Sequence, residues 1–186
     1  MNKIFIEKIH KNHEIILALG LIIIGVVARF LPHLPNFVPI AAIALFSGRY
    51  FSKKFAIIIP IGIMIISDLI LGFSLVTFFV YAGFLIAALI GYRWRKQHSW
   101  RTIFGSSIAS ALIFYLLTNF GVYITGNWYP HTFFGLIDCY LMAIPFFRLS
   151  LFGDLFYVTI FFGAYQLLAC YLENKKVSIQ AILTVK

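Results

Sequence analysis

Six apolar runs, each cut off from the next by proline, glycine or a knot of charge, dominate this chain and leave it few folds to choose from. They extend from about Ile15 to Leu31, Phe37 to Phe51, Phe55 to Leu71, Leu75 to Tyr92, Ile103 to Ile124 and Leu151 to Leu172. A helix needs roughly 17–25 apolar residues to cross a bilayer, so only the second run is short for a span. That run also holds Pro39, which implies a tilt or break supported by neighbouring helices. Of the 186 residues, 62% are hydrophobic and 11% charged, against roughly 45–50% and 25% in soluble domains. A soluble core of this length cannot hide that much apolar surface. The reading is all-α: a polytopic membrane protein, one membrane domain over residues 1–186, with lipid as its main solvent.

Charge bias orients the spans. Lys3, Lys8 and Lys11 precede the first run; Arg49, Lys53 and Lys54 separate the second from the third; Arg93, Arg95, Lys96 and Arg101 separate the fourth from the fifth. Lys175, Lys176 and Lys186 follow the sixth. The opposite connections hold only Arg148, with Arg29 just inside the membrane. Six transmembrane helices therefore place both termini in the cytoplasm. A seventh stretch, His131 to Phe147, carries Asp138 and Pro145, poor choices for lipid exposure. Counting it as a span would export Lys175 and Lys176, so it reads as a short outer helix or re-entrant cap over residues 131–147. The basic N-terminus resembles a signal peptide, but Ala28-Arg29-Phe30 offers no small-x-small cleavage site, and the first run reads as an uncleaved span.

The net charge of +9 is dispersed in short loop clusters rather than on a face, which argues against nucleic acid as a partner. Cys139 and Cys170 form neither a disulfide framework nor a metal-type spacing. His33, His131, Asp138 and Cys139 have no ligand periodicity, so no metal is expected. A phosphate-binding glycine loop, H-E-x-x-H and G-x-S-x-G are all absent from the sequence; no enzyme or cofactor is expected.

The polar residues that remain gather toward the outer half. Arg29, near the outer end of the first span, and Asp68, near that of the third, share a depth. A lone charge there costs on the order of 2.5–3.5 kcal/mol, so the two are expected to form an ion pair. Thr118, Asn119 and Tyr123 close the fifth span, and Trp128, Tyr129, His131, Asp138 and Tyr140 populate the cap, with Arg148 and Asp154 nearby. The tryptophan and tyrosines are equally consistent with an interfacial belt; an amide at the depth of Asn119 needs a helix partner or a ligand. Gly105-x-x-x-Ala109 and Ser107-x-x-x-Ala111, with Ala41, Ala42 and Ala44 on the second span, encode close helix packing or docking of a partner.

Four stretches carry a resemblance: Arg29 to Gly48 (RFLPHLPNFVPIAAIALFSG), Ser67 to Gly72 (SDLILG), Thr118 to Gly121 (TNFG) and Gly135 to Phe147 (GLIDCYLMAIPFF). They resemble a family of small uncharacterised bacterial membrane proteins, which in turn is similar to the substrate-binding S components of energy-coupling factor (ECF) vitamin transporters. The resemblance implies a small-molecule substrate bound near the outer face, under the Pro32–Asn36 and Thr125–Ser150 loops. Asn36, Asp68, Asn119, Tyr123, Trp128, Tyr129, His131, Asp138 and Tyr140 would face it. It also implies a transmembrane coupling protein and ATPases as partners. S components carry Ala-x-x-x-Ala on the first helix for that docking; here Ala18 and Gly20 lack the spacing, so a solitary carrier stays open. Two further readings stay open as well, a six-span scaffold with no ligand site and a membrane enzyme acting on lipid head groups.

Overall fold

The computed structural model describes the backbone of residues 3–184 except His33, Pro35 and His98, and the side chains from Glu14 to Tyr171 apart from those three. The candidate ligand His33 and the terminal lysines Lys3, Lys8, Lys11, Lys175, Lys176 and Lys186 lie outside the described side chains. Six helices, with no strand among the described residues, make up the fold: α1 (Lys3–Phe30), α2 (Ile40–Tyr50), α3 (Lys53–Leu71), α4 (Thr77–Arg93), α5 (Trp100–Thr125) and α6 (Phe133–Thr184). Three helical stretches, Lys53–Leu71, Trp100–Thr125 and Phe133–Tyr171, are long and apolar enough to cross a membrane. Ile40–Tyr50 and Thr77–Arg93 are shorter apolar helices.

The shortest helix is the hub. Pro39 stands at the N-cap of α2, where its missing N–H and fixed φ do no harm, and it starts the helix instead of breaking it. From Ala42 to Arg49 every residue is buried, as befits a helix that is apolar all round. α2 packs most extensively on α4, and also meets α1, α3, α5 and α6. The α2–α4 contact is backbone to backbone: a Cβ on Gly48 would run into the Ala88 carbonyl, and one on Gly91 into the Leu45 carbonyl. Ala44, Ala87 and Ala88 fill the same seam. Small residues replace bulk here because lipid rewards close approach of backbones rather than burial of large side chains.

α3 contains Pro60 in a buried position. A proline there leaves the Ala56 carbonyl without its helical donor, and the Ser47 hydroxyl of α2 lies 3.3 Å from that oxygen. The end of α3 is set by Gly72 at φ 94, a left-handed residue that closes a helix at little cost. Arg49 departs from the expectation of a cytoplasmic loop cation: it is buried in the last turn of α2, with its guanidinium 5.9 Å from the Phe162 ring centre.

The outer faces of α1, α3, α5 and α6 are apolar, with Ile16, Ile23, Ile66, Ile70, Leu112 and Phe152 among the exposed side chains. The separate cap helix expected over residues 131–147 is not found. The cap and the sixth apolar run form one helix of 52 residues with Pro145 inside it, about 78 Å long at 1.5 Å per residue. Proline made the sequence look interrupted, yet a long helix absorbs one where neighbours or water satisfy the freed carbonyl.

Candidate functional site

A cavity of about 390 Å³ opens toward the end of the bundle where α1 joins α2, α3 joins α4 and α5 joins α6. That size falls within the range of small-molecule sites. Arg49, Lys53, Lys54, Arg93, Arg95, Lys96 and Arg101 belong to the opposite end, at the α2–α3 and α4–α5 connections.

Two helices supply most of the wall. From α5 come Ala111, Phe114, Tyr115, Thr118, Asn119 and Val122, and from α6 come Ala143, Phe146, Phe147, Ser150 and Asp154. Both sets repeat at intervals of three and four residues, one face of a helix in each case. Ile40 and Ala41 of α2, Met64 of α3, Val80 and Phe84 of α4, and Arg29 of α1 complete it with Asn36 and Val38 of the α1–α2 loop. The loop turns at Asn36, which has φ 60, a conformation asparagine tolerates better than most residues. It is then pinned on α6 by Phe37, whose ring lies 5.8 Å from that of Phe156 and 5.5 Å from that of Tyr157. Gly153 leaves the notch for this ring, since a Cβ there would meet it at 3.0 Å.

Arg29 and Asp68 form an ion pair, Nη1 to Oδ1, at 2.6 Å. The same Nη1 donates to the Ser67 hydroxyl at 2.7 Å, and the Tyr81 hydroxyl donates to Asp68 Oδ2 at 3.0 Å. Arg29 faces the cavity from one side of this pair, whereas Asp68 lies behind it and faces a second hollow at the α3–α4 turn.

The polar groups on α5 are largely occupied. Thr118 Oγ1 donates to the Phe114 carbonyl at 2.8 Å, and Asn119 Nδ2 donates to the Tyr115 carbonyl at 2.8 Å. The Tyr115 hydroxyl donates to the Tyr140 carbonyl at 2.6 Å. Asp154 differs from all of these. It is buried, it lines the cavity, and among the described residues no donor or cation is placed against its carboxylate.

Of the residues expected around a ligand, Asn36 and Asn119 line the cavity, and Asp68 reaches it only through Arg29. Tyr123, Trp128, Tyr129, His131, Asp138 and Tyr140 do not line it. Trp128 is 86% exposed, and Asp138 is also exposed. Tyr123 and His131 tie the α5–α6 connection together, the Tyr123 hydroxyl donating to the Thr132 carbonyl and a His131 ring nitrogen lying 2.9 Å from the Tyr123 carbonyl. Tyr140 clamps the two helices through its hydroxyl bond to the Leu116 carbonyl. The physical reason is the continuity of α6: without a break after residue 147, the stretch cannot fold over the mouth as a lid.

The packing residues also divide. Ala44 is buried against α4, and Ala41 and Ala111 face the cavity. Gly105 has open space where a side chain would be, and Ala109 is exposed, so that stripe faces outward. Sequence reasoning passed over Tyr115, Ser150 and the Phe146–Phe147 pair, and it left Asp154 at the margin. The signal for the α6 residues was the three-four spacing from Ala143 to Asp154, hidden when the cap was ended at Phe147 and the sixth run begun at Leu151; Tyr115 follows the same spacing from Ala111 to Val122 on α5.

The chain belongs to a family of unknown function, DUF6580, whose match covers residues 9–178. No curated protein and no solved structure matches it.

Proposed function

We propose that this DUF6580 member is a substrate-binding membrane component for uptake of a small, vitamin-like nutrient, of the S-component type. In this reading all six helices belong to the membrane, both termini are cytoplasmic, and the protein resides in a bacterial inner membrane. The observation that carries it is the cavity itself: an internal, mostly apolar space with a few inward polar groups, at the end of the bundle away from the basic connections. Positive connections favour the cytoplasm, which turns the cavity mouth outward, where a nutrient arrives. The apolar exteriors of α1, α3, α5 and α6 suit lipid contact, and the outward Gly105–Ala109 stripe suits close approach of a helix from a coupling protein. Nothing about the cavity supplies energy, so transport in this reading depends on ATPases of a separate module.

The test is native mass spectrometry of the full chain in mild detergent. A vitamin-sized molecule is expected to co-purify and to be lost in Ala111→Phe, which fills the cavity, and weakened in Asn119→Ala. A clean apo mass, with no thermal stabilisation by a panel of vitamins, would sink the proposal and favour a scaffold.

A further inference from the structure

The charges around the cavity do not balance. Arg29 is neutralised by Asp68 at 2.6 Å, and that carboxylate also takes the Tyr81 hydroxyl. Asp154 is 4% exposed and has no such company among the described residues. A carboxylate removed from water needs a counter-charge or a proton, because an isolated ion in an apolar medium is strongly disfavoured. Its small remaining exposure faces the cavity, so the missing counterpart has to come from there.

Two neutral groups on α5 can accept from such a guest and cannot donate to it. Thr118 and Tyr115 have each committed their only hydroxyl hydrogen to a backbone carbonyl. Asn119 has committed one amide hydrogen in the same way. What Thr118 and Tyr115 can offer a ligand is an oxygen lone pair; Asn119 adds its carbonyl oxygen and one remaining amide hydrogen, and Ser150 and Asn36 can accept or donate. Phe114, Phe146 and Phe147 supply aromatic faces, which attract cations. A single carboxylate among phenyl rings is a poor metal site, since hard cations take six or more oxygen ligands.

Resting on the reading of the cavity as a ligand site, we infer that its ligand is an organic cation. An ammonium or amidinium group would sit at Asp154, and an apolar or aromatic body would fill the space between α5 and α6. Asp154 is the counter-ion that selects for charge, and the aromatic wall selects for shape.

The test uses the full chain in mild detergent and four probes of one skeleton, read by equilibrium dialysis and thermal shift. Phenethylamine and benzyltrimethylammonium carry the charge, 2-phenylethanol is neutral and phenylacetate is an anion. The two cations are expected to bind at least ~10-fold more tightly than the alcohol, a factor read directly from the dissociation constants. Asp154→Asn should erase that preference and leave the alcohol's binding as it was. Asp154→Glu, which keeps the charge, should retain the preference and serves if the asparagine variant does not fold. Alcohol or phenylacetate binding as tightly as the amines, and lost in Ala111→Phe, overturns the charge assignment while the cavity stands as a ligand site. Failure of all four probes to bind, with no molecule retained in native mass spectrometry, overturns both.

Discussion

Asp68 and Asp154 are buried to nearly the same degree, 3% and 4% exposed, and both belong to apolar helices, yet their surroundings have little in common. Asp68, on α3, is held by Arg29 of α1 and by the Tyr81 hydroxyl of α4. Asp154, on α6, meets a cavity and no described partner. The first arrangement joins three helices through a satisfied network. The second leaves a buried carboxyl group with no internal counter-charge. Burial alone therefore does not separate a structural carboxylate from a binding one; the presence of an internal counterpart does.

The comparison breaks most visibly at Asp68. Asp68→Asn strips Arg29 of its counter-charge and is expected to lower stability by about 2–3 kcal/mol, below the full cost of orphaning a buried charge because Arg29 is one-fifth exposed. Denaturant unfolding in detergent measures it; an unchanged midpoint would mean that the pair holds nothing together. A double-mutant cycle with Arg29→Met and Asp68→Leu should give a coupling of about 1–3 kcal/mol, the double variant being much milder than the sum of the two.

Asp154 should respond in the opposite direction. With no ligand, Asp154→Asn is expected to raise stability by up to about 1 kcal/mol, since a buried carboxyl that no internal counter-charge holds is exchanged for a neutral amide of the same shape. A drop in melting temperature would show that the carboxylate is structurally satisfied and would erase the contrast with Asp68. Tyr81→Phe sharpens the same contrast at the smallest scale. It removes one hydrogen bond to Asp68, costs about 1 kcal/mol, and should leave ligand binding untouched, because Tyr81 does not line the cavity.

Much of the helical layout was legible without coordinates. Each of the six apolar runs holds a helix over most of its length, and Gly72 ends α3 within one residue of the expected boundary. These features follow from local chemistry: apolar composition forces the backbone to bond within its own segment, and glycine marks where it may stop. Proline was the misleading letter. Pro39 suggested a tilted or broken span and instead caps α2, whereas Pro145 argued against a lipid-exposed helix and lies inside α6. The same residue starts, bends or is absorbed by a helix according to what its neighbours do for the freed carbonyl. The Ser47 hydroxyl, 2.9 Å from the Ala44 carbonyl of its own helix, also lies 3.3 Å from that of Ala56 on another, a relation no local window contains.

The site was legible in its depth and not in its facing. Arg29, Thr118 and Asn119 could be placed near one end of the bundle by counting along each span, Asn36 came only with the family resemblance, and all four line the cavity. The cap aromatics satisfied the same count, but they serve the α5–α6 connection or point away. From the sequence alone come the apolar segments, their helical state and the depth of each polar residue, because these depend on composition and a fixed rise per residue. Only the tertiary structure decides that Asp68 is paired and Asp154 is not. Pairing depends on how each helix is rotated about its own axis, and that rotation is set by backbone contacts such as Gly48 on Ala88 that lie far apart in the chain.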